Sequence, residues 1–327
     1  MSVMAADLEL VWARLAAGGT PKRQFVSVRI DPASHLDVHV ALRALDTAPC
    51  LLFDLPDPSS VGDAEFEVGG MRFFRAAAAG GQCMVLSLEE PAHRELFAAV
   101  CADVLSFAGA DTAADGLKLV LARLDAWRLF LRSLAGGMSR SEVIGLIGEL
   151  CVMKTIVERR PSLVATWRAP DDAVHDFENA GQALEVKTTL GAGSRVRIST
   201  LDQLDQAGLD QLCLLHVRLF ETPLGERVDD LIDAISSRLE TEASRRDFSN
   251  ALLRRGLRPD DTAARSGLRT ALQQITAYAV TEAFPRLNRS DVPAGIIEAS
   301  YAIELGPLQS FASPWSDGCA TYCNRNS

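Results

Sequence analysis

Lysine is nearly absent from this chain: Lys22, Lys118, Lys154 and Lys187 are the whole set, and arginine supplies the rest of the 33 basic residues against 43 acidic ones. The formal net charge of −10 excludes a protein that coats nucleic acid nonspecifically, while leaving room for local basic patches. Long apolar runs are missing as well, so no membrane span is expected, and Met1 to Asp7 lacks the basic and apolar regions of a signal peptide. The cytoplasm is the expected compartment. Seven cysteines make an odd number. Cys50, Cys83, Cys101, Cys151 and Cys213 sit in apolar segments and read as small core residues of a reducing compartment. Cys319 and Cys323 are the one close pair, and without a second pair or nearby histidines they argue against zinc. Aromatic residues are few, yet 327 residues with 48% hydrophobic content suffice for two buried cores. No internal repeat or low-complexity tract is visible.

Scarcity makes the placement of Lys187 informative. It ends the apolar stretch Ala183-Leu184-Glu185-Val186-Lys187, just downstream of His175-Asp176-Phe177. Strand side chains alternate, so Glu185 and Lys187 project from one face while Val186 points into the core. The turn-forming Asn179-Ala180-Gly181-Gln182 predicts a hairpin that brings Asp176 and Glu185 together, where two carboxylates can share one cation. A lysine beside them, a compact charge whose pKa burial can lower, suits work on a water molecule. The same alternation also describes the solvated side of a half-buried strand.

Upstream, Ser139-Arg140-Ser141-Glu142 has capping-box spacing and predicts a helix start. Val143, Ile144, Ile147, Leu150, Cys151, Ile156 and Val157 give that helix its apolar stripe, with Gly145 and Gly148 allowing close approach and Glu149 beside the stripe. Glu149 also fits an ordinary surface glutamate. The order that follows is a strand over Ser162 to Trp167, a loop, the hairpin, a strand over Arg195 to Ser199, a short helix over Leu201 to Ala207, and a buried strand over Leu212 to Phe220. Residues 1–135 form an expected α+β domain of their own, with Gly136-Gly137 as the boundary. Residues 136–327 form the second domain, extended by helices over Arg227 to Thr241 and Arg245 to Arg255 and strands over Ile275 to Ala283 and Gly295 to Leu305. His35 and His39, beside Asp31-Pro32 and Asp37, are expected in a loop with a solvated or structural role.

The order of elements, with Glu149 on the first helix, Asp176 opening one strand and Glu185-Val186-Lys187 in the next, resembles the PD-(D/E)XK nuclease superfamily. Gly145 to Leu150, Trp167, His175-Asp176-Phe177, Glu185 to Thr189 and Phe284-Pro285-Arg286-Leu287 resemble, more narrowly, an uncharacterised bacterial family of it associated with phage-defence gene clusters. His175 stands where the superfamily's naming proline would be. The resemblance implies a restriction-endonuclease-like α/β (α+β) core with a mixed central sheet flanked by helices, and a metal-dependent DNA endonuclease using Mg²⁺ or Mn²⁺. Asp176, Glu185 and the Val186 carbonyl would hold the ion, with Glu149 completing its shell or helping a second ion. Lys187 would orient the attacking water. Arg195, Arg197 and Gln203 are candidate DNA contacts, as is the cluster Arg245, Arg246, Arg254, Arg255 and Arg258, each with a plain solvated-surface alternative. Implied partners are DNA and a companion ATPase and methyltransferase, with a homodimer left open and no membrane. A catalytically inactive nuclease-fold protein that binds DNA or scaffolds a defence complex is the alternative function, and an unrelated α/β interaction protein is a third.

Overall fold

A computed structural model describes residues 3–18, 24–30, 36–55, 64–78, 81–108, 112–132, 138–168 and 173–325. The chain divides into two compact units, Met1–Ala135 and Gly136–Ser327. The glycines expected at the boundary, Gly136 and Gly137, lie outside the described residues, as do His35 and Asp31-Pro32.

In the first unit α1 (Ala5–Ala17) precedes β1 (Phe25–Ile30), β2 (Val38–Arg43), β3 (Pro49–Asp54), β4 (Phe66–Val68), β5 (Met71–Ala78) and β6 (Gly81–Leu88). Helices α2 (Arg94–Phe107) and α3 (Ala113–Arg132) follow. The strands pair antiparallel in the order β1-β2-β3-β6-β5-β4. Phe25, Ala41, Cys50, Leu52, Cys83 and Val85 form one of its buried clusters, which places two of the cysteines in a core. His39 corrects the expected loop: it lies within β2, opposite Leu52 of β3. The buried Val38, Val40 and Leu42 supply a period of two that outweighs the turn-favouring Asp37.

The second unit opens with α4 (Arg140–Arg159), followed by β7 (Phe177–Asn179), β8 (Gln182–Leu190), β9 (Arg195–Ile198) and β10 (Gln211–Glu226). Next come α5 (Val228–Ser236), α6 (Glu242–Arg254), α7 (Thr262–Ser266), β11 (Thr270–Ala279), β12 (Tyr301–Glu304), β13 (Ala312–Pro314) and α8 (Trp315–Asn324). The main sheet runs β13-β11-β10-β8-β7 and is mixed: β8 and β10 are parallel, the other pairs antiparallel. Strands β9 and β12 form a separate antiparallel pair. One face of the sheet presents Leu184, Val186, Leu215, Val217 and Leu219 to Leu146, Ile147 and Leu150 of α4. The other places Ala183, Leu212 and Leu214 against Val196, Ile198 and Ile303 of the small sheet. The alternation along β8 therefore sends Leu184 and Val186 toward α4, and Ala183, Glu185 and Lys187 the opposite way.

Two local devices set this frame. Ser139 caps α4: its hydroxyl accepts from the Glu142 N–H at 3.3 Å while the Glu142 carboxylate accepts from the Ser139 N–H at 2.7 Å. Ser139→Ala is expected to lower stability by about 1 kcal/mol in a urea melt; an unchanged midpoint would mean the cap is idle. The β7–β8 hairpin turns through Ala180 (φ 45°) and Gly181 (φ 79°), the left-handed pair a tight two-residue turn requires. Asn179 Nδ2 ties the hairpin to the Tyr322 carbonyl of α8 at 2.9 Å.

Several expected elements differ. Ser162 to Trp167 is not a strand: Pro161–Thr166 is a 3-10 turn, with Pro161 at its start and the Thr166 hydroxyl donating to the Leu163 carbonyl at 2.7 Å. Proline at that position presets a helical φ. Trp167 alone bridges to Phe177. The expected helix over Leu201 to Ala207 is one 3-10 turn, Asp202–Leu204, ended where Asp205 accepts from the Ala207 N–H. Of Gly295 to Leu305, Tyr301–Glu304 is strand.

Candidate active site

Strand β7 pairs with β8 only from Gln182 to Leu184. Past Leu184 that edge of β8 is no longer covered by β7, and the Asp176 carboxylate fills the gap, its Oδ2 accepting from the Val186 N–H at 2.7 Å. The N–H and C=O of one strand residue face the same neighbour, so the Val186 carbonyl looks onto the same opening. Glu185, two per cent exposed, holds Lys187 Nζ at 2.6 Å from Oε1. Lys187 also approaches Gln203 Oε1 at 3.5 Å, and that oxygen accepts from the Ser199 N–H at 2.7 Å. The turn after β9 thus reaches the site through Gln203.

Glu149 enters from α4, also buried, with its carboxylate fully engaged. Arg255 donates to it from Nε at 3.1 Å to each oxygen and from Nη2 to Oε1 at 2.7 Å, while Trp167 Nε1 donates to Oε2 at 3.0 Å. From the sequence, Arg255 is expected in a basic cluster of candidate DNA contacts, with a solvated arginine face as the alternative. What that expectation missed is that Gly256 (φ 98°) ends the α6 segment there and that the side chain turns inward. Burial works against the Arg255 charge, but the Glu149 carboxylate outweighs it and raises its pKa.

Crowding shows in the titration of the acids. Burial, then the charges of Glu185 and Glu149, raises the Asp176 pKa well above the carboxylate range. Burial pushes Glu185 up to about 7 despite the pull of Lys187. On the parallel neighbour strand, burial with help from Arg218 pushes His216 down to about 4, so it adds no positive charge at neutral pH. Two carboxylates that resist ionisation beside a backbone carbonyl are a hard-oxygen donor set suited to Mg²⁺ or Mn²⁺. A cation must displace protons to bind here. Mg²⁺ is therefore expected to raise the melting temperature more at pH 8 than at pH 6, because Glu185 is protonated below about 7. Asp176→Ala should abolish the gain in a thermal-shift titration; an equal gain in both proteins would place the ion elsewhere.

The remaining expected contacts divide. Arg195 and Arg197 project from the exposed face of β9, Arg197 donating to Ser300 Oγ at 3.1 Å. Arg245 and Arg246 pair with Glu242, and Arg258 with Asp260, so much of that basic cluster is locally neutralised. His175 is buried, with Nδ1 3.6 Å from Glu178 and Nε2 lacking a hydrogen-bond partner. Cys319 and Cys323 face each other on α8 with sulfurs 3.9 Å apart. A groove of about 630 Å³ is lined by Trp167, Arg168, Phe248 and Arg254 but not by Glu149, Asp176 or Glu185. In the first unit Asp37, His39 and Asp54 bring three ligand atoms within 4.8 Å of one another, with Arg29 on Asp37 at 2.6 Å. Among the described residues no helix is long and apolar enough to cross a membrane.

The chain matches a family model described as "Putative PD-(D/E)XK family member, (DUF4420)" over residues 8–306. No curated protein and no solved structure matches it.

Proposed function

This chain belongs to the DUF4420 family of PD-(D/E)XK proteins, and on that premise we propose that it is a metal-dependent DNA endonuclease of a restriction-like phage-defence system. The observation that carries the reading is the open edge of β8, where Asp176 sits on the Val186 N–H and Glu185 and Lys187 share the adjoining face. A bound Mg²⁺ or Mn²⁺ would neutralise charge on the phosphoryl oxygens and make a water acidic. Asp176, Glu185 and the Val186 carbonyl would hold it. The Val186 N–H fixes one oxygen of Asp176, leaving the other for the ion. Lys187 Nζ, steadied by Gln203, orients the attacking water and stabilises the charge that develops as the phosphodiester opens. Glu185 is buried and holds Lys187 Nζ at 2.6 Å, and a charge fixed in this way is preorganised.

Arg195 and Arg197 offer phosphate contacts on an exposed strand. With a net charge of −10 the protein should hold DNA weakly by itself, which favours delivery of substrate by a companion ATPase, with a methyltransferase marking host DNA. The test is Mg²⁺-dependent cleavage of plasmid DNA by the purified protein, alone and with the products of neighbouring genes. Cleavage that needs the metal and vanishes in Asp176→Ala supports the reading. DNA binding without cleavage under every condition would instead favour the inactive, scaffolding alternative.

A further inference from the structure

We propose that Arg255 limits this site to a single divalent cation by holding Glu149 out of the metal shell, an inference that rests on the nuclease reading of Asp176 and Glu185. A second ion needs a third carboxylate. Glu149, a buried acid on the helix that packs against β8, is the group that would supply one. Its oxygens, however, are already engaged. A carboxylate offers about four acceptor positions, and three N–H groups point at Glu149: Arg255 Nε–H, shared between both oxygens, Arg255 Nη2–H on Oε1 and Trp167 Nε1–H on Oε2.

Geometry agrees with this occupancy. Among the described residues the group of three or more His, Cys, Asp or Glu with ligand atoms all within 4.8 Å is Asp37, His39 and Asp54; Glu149, Asp176 and Glu185 do not form such a group. The hydrogen bonds aim the Glu149 oxygens at Arg255 and Trp167. The clamp is also hard to open. Both partners are largely withdrawn from solvent, with side chains 23% and 5% exposed, and a planar guanidinium fork that matches a carboxylate has no equivalent in lysine. Trp167, the residue bridging to Phe177 at the start of β7, holds the second oxygen from the hairpin side. Glu149 thus acts on the ion through field and position, and Arg255 is a positioning residue.

The count of bound ions tests this. Mn²⁺ binding is measured at pH 8 by calorimetry and by electron paramagnetic resonance, in a His39→Ala background so that the Asp37–His39–Asp54 group of the first unit does not contribute. One Asp176-dependent ion is expected. Glu149→Gln should keep that single ion, with its affinity lowered by the lost negative charge but not abolished. Arg255→Gln, which frees Glu149, should gain a second ion, and the double variant Arg255→Gln with Glu149→Gln should return to one. Two Asp176-dependent ions in the starting protein, or loss of the ion in Glu149→Gln, would overturn the proposal while leaving the nuclease reading standing. Should Arg255→Gln fail to fold by circular dichroism, the Glu149→Gln result alone decides. No Asp176-dependent ion in any variant would sink the nuclease reading and this inference with it.

Discussion

Lys187→Ala is expected to cut DNA cleavage by about 10²–10³-fold while cation binding survives, the magnitude typical of removing one preorganised charge from a transition state. Among the described residues the polar contacts of Lys187 are with Glu185, at 2.6 Å, and Gln203, at 3.5 Å, so its loss removes one ion pair from the site. The hazard is a buried Glu185 left without its cation. A carboxyl already shifted to about 7 answers by taking up a proton, which limits the cost to the fold. At pH 8.5 the proton competes less, and Mg²⁺ should bind at least as tightly as in wild type. Asp176→Ala behaves differently: it should lose the ion and the cleavage together. The comparison is calorimetry with Mg²⁺, plasmid cleavage, and phage plating of cells carrying each variant with its neighbouring genes. Full protection by both variants would end the nuclease reading and leave the scaffold in its place.

What the sequence revealed of this site, and what it hid, follows from the range of the interactions. Glu185, Val186 and Lys187 declared themselves because alternation along a strand is local and the turn at Ala180-Gly181 is written in adjacent residues. The α4 start was legible for the same reason, its Ser139–Glu142 cap spanning three positions. Arg255 was not. It lies 106 residues from the Glu149 it holds, and nothing in its own neighbourhood separates it from Arg254, Arg245 or Arg246. The stretch before Trp167 failed through a competing local rule: its apolar residues look like a strand, and Pro161 turns them into a 3-10 turn. In β2 the opposite happened, as Asp37 drew His39 toward a loop although Val38, Val40 and Leu42 belong to a ladder. The sheet's mixed character could only be inferred by likeness, because the parallel pairing of β8 with β10 joins residues separated by the whole of β9 and its turn.

Gly148→Ala is expected to destabilise the second unit by about 1–3 kcal/mol, the usual cost of an overpacked contact. A Cβ at Gly148 would stand 1.8 Å from Thr188 Oγ1, 2.9 Å from its Cβ and 3.0 Å from its Cγ2. Helix α4 meets β8 at this point, so either the helix lifts or the threonine is forced from its rotamer. Lifting the helix also moves the next residue, Glu149, against the Arg255 and Trp167 donors that hold it at 2.7–3.1 Å. Cleavage should therefore fall with stability rather than survive it. The clash has a built-in control, because the Thr188 hydroxyl is buried without a hydrogen-bond partner and stabilises little. Thr188→Ala alone should change stability by less than about 1 kcal/mol. Combined with Gly148→Ala it removes the two atoms at 1.8 and 3.0 Å but leaves the one at 2.9 Å, so the double variant should recover part of the loss and not all of it. Urea denaturation of the three variants measures the coupling. Strict additivity, or a Gly148→Ala protein as stable as wild type, would show that α4 does not rest on β8 through this contact and that Glu149 is placed by Arg255 and Trp167 alone.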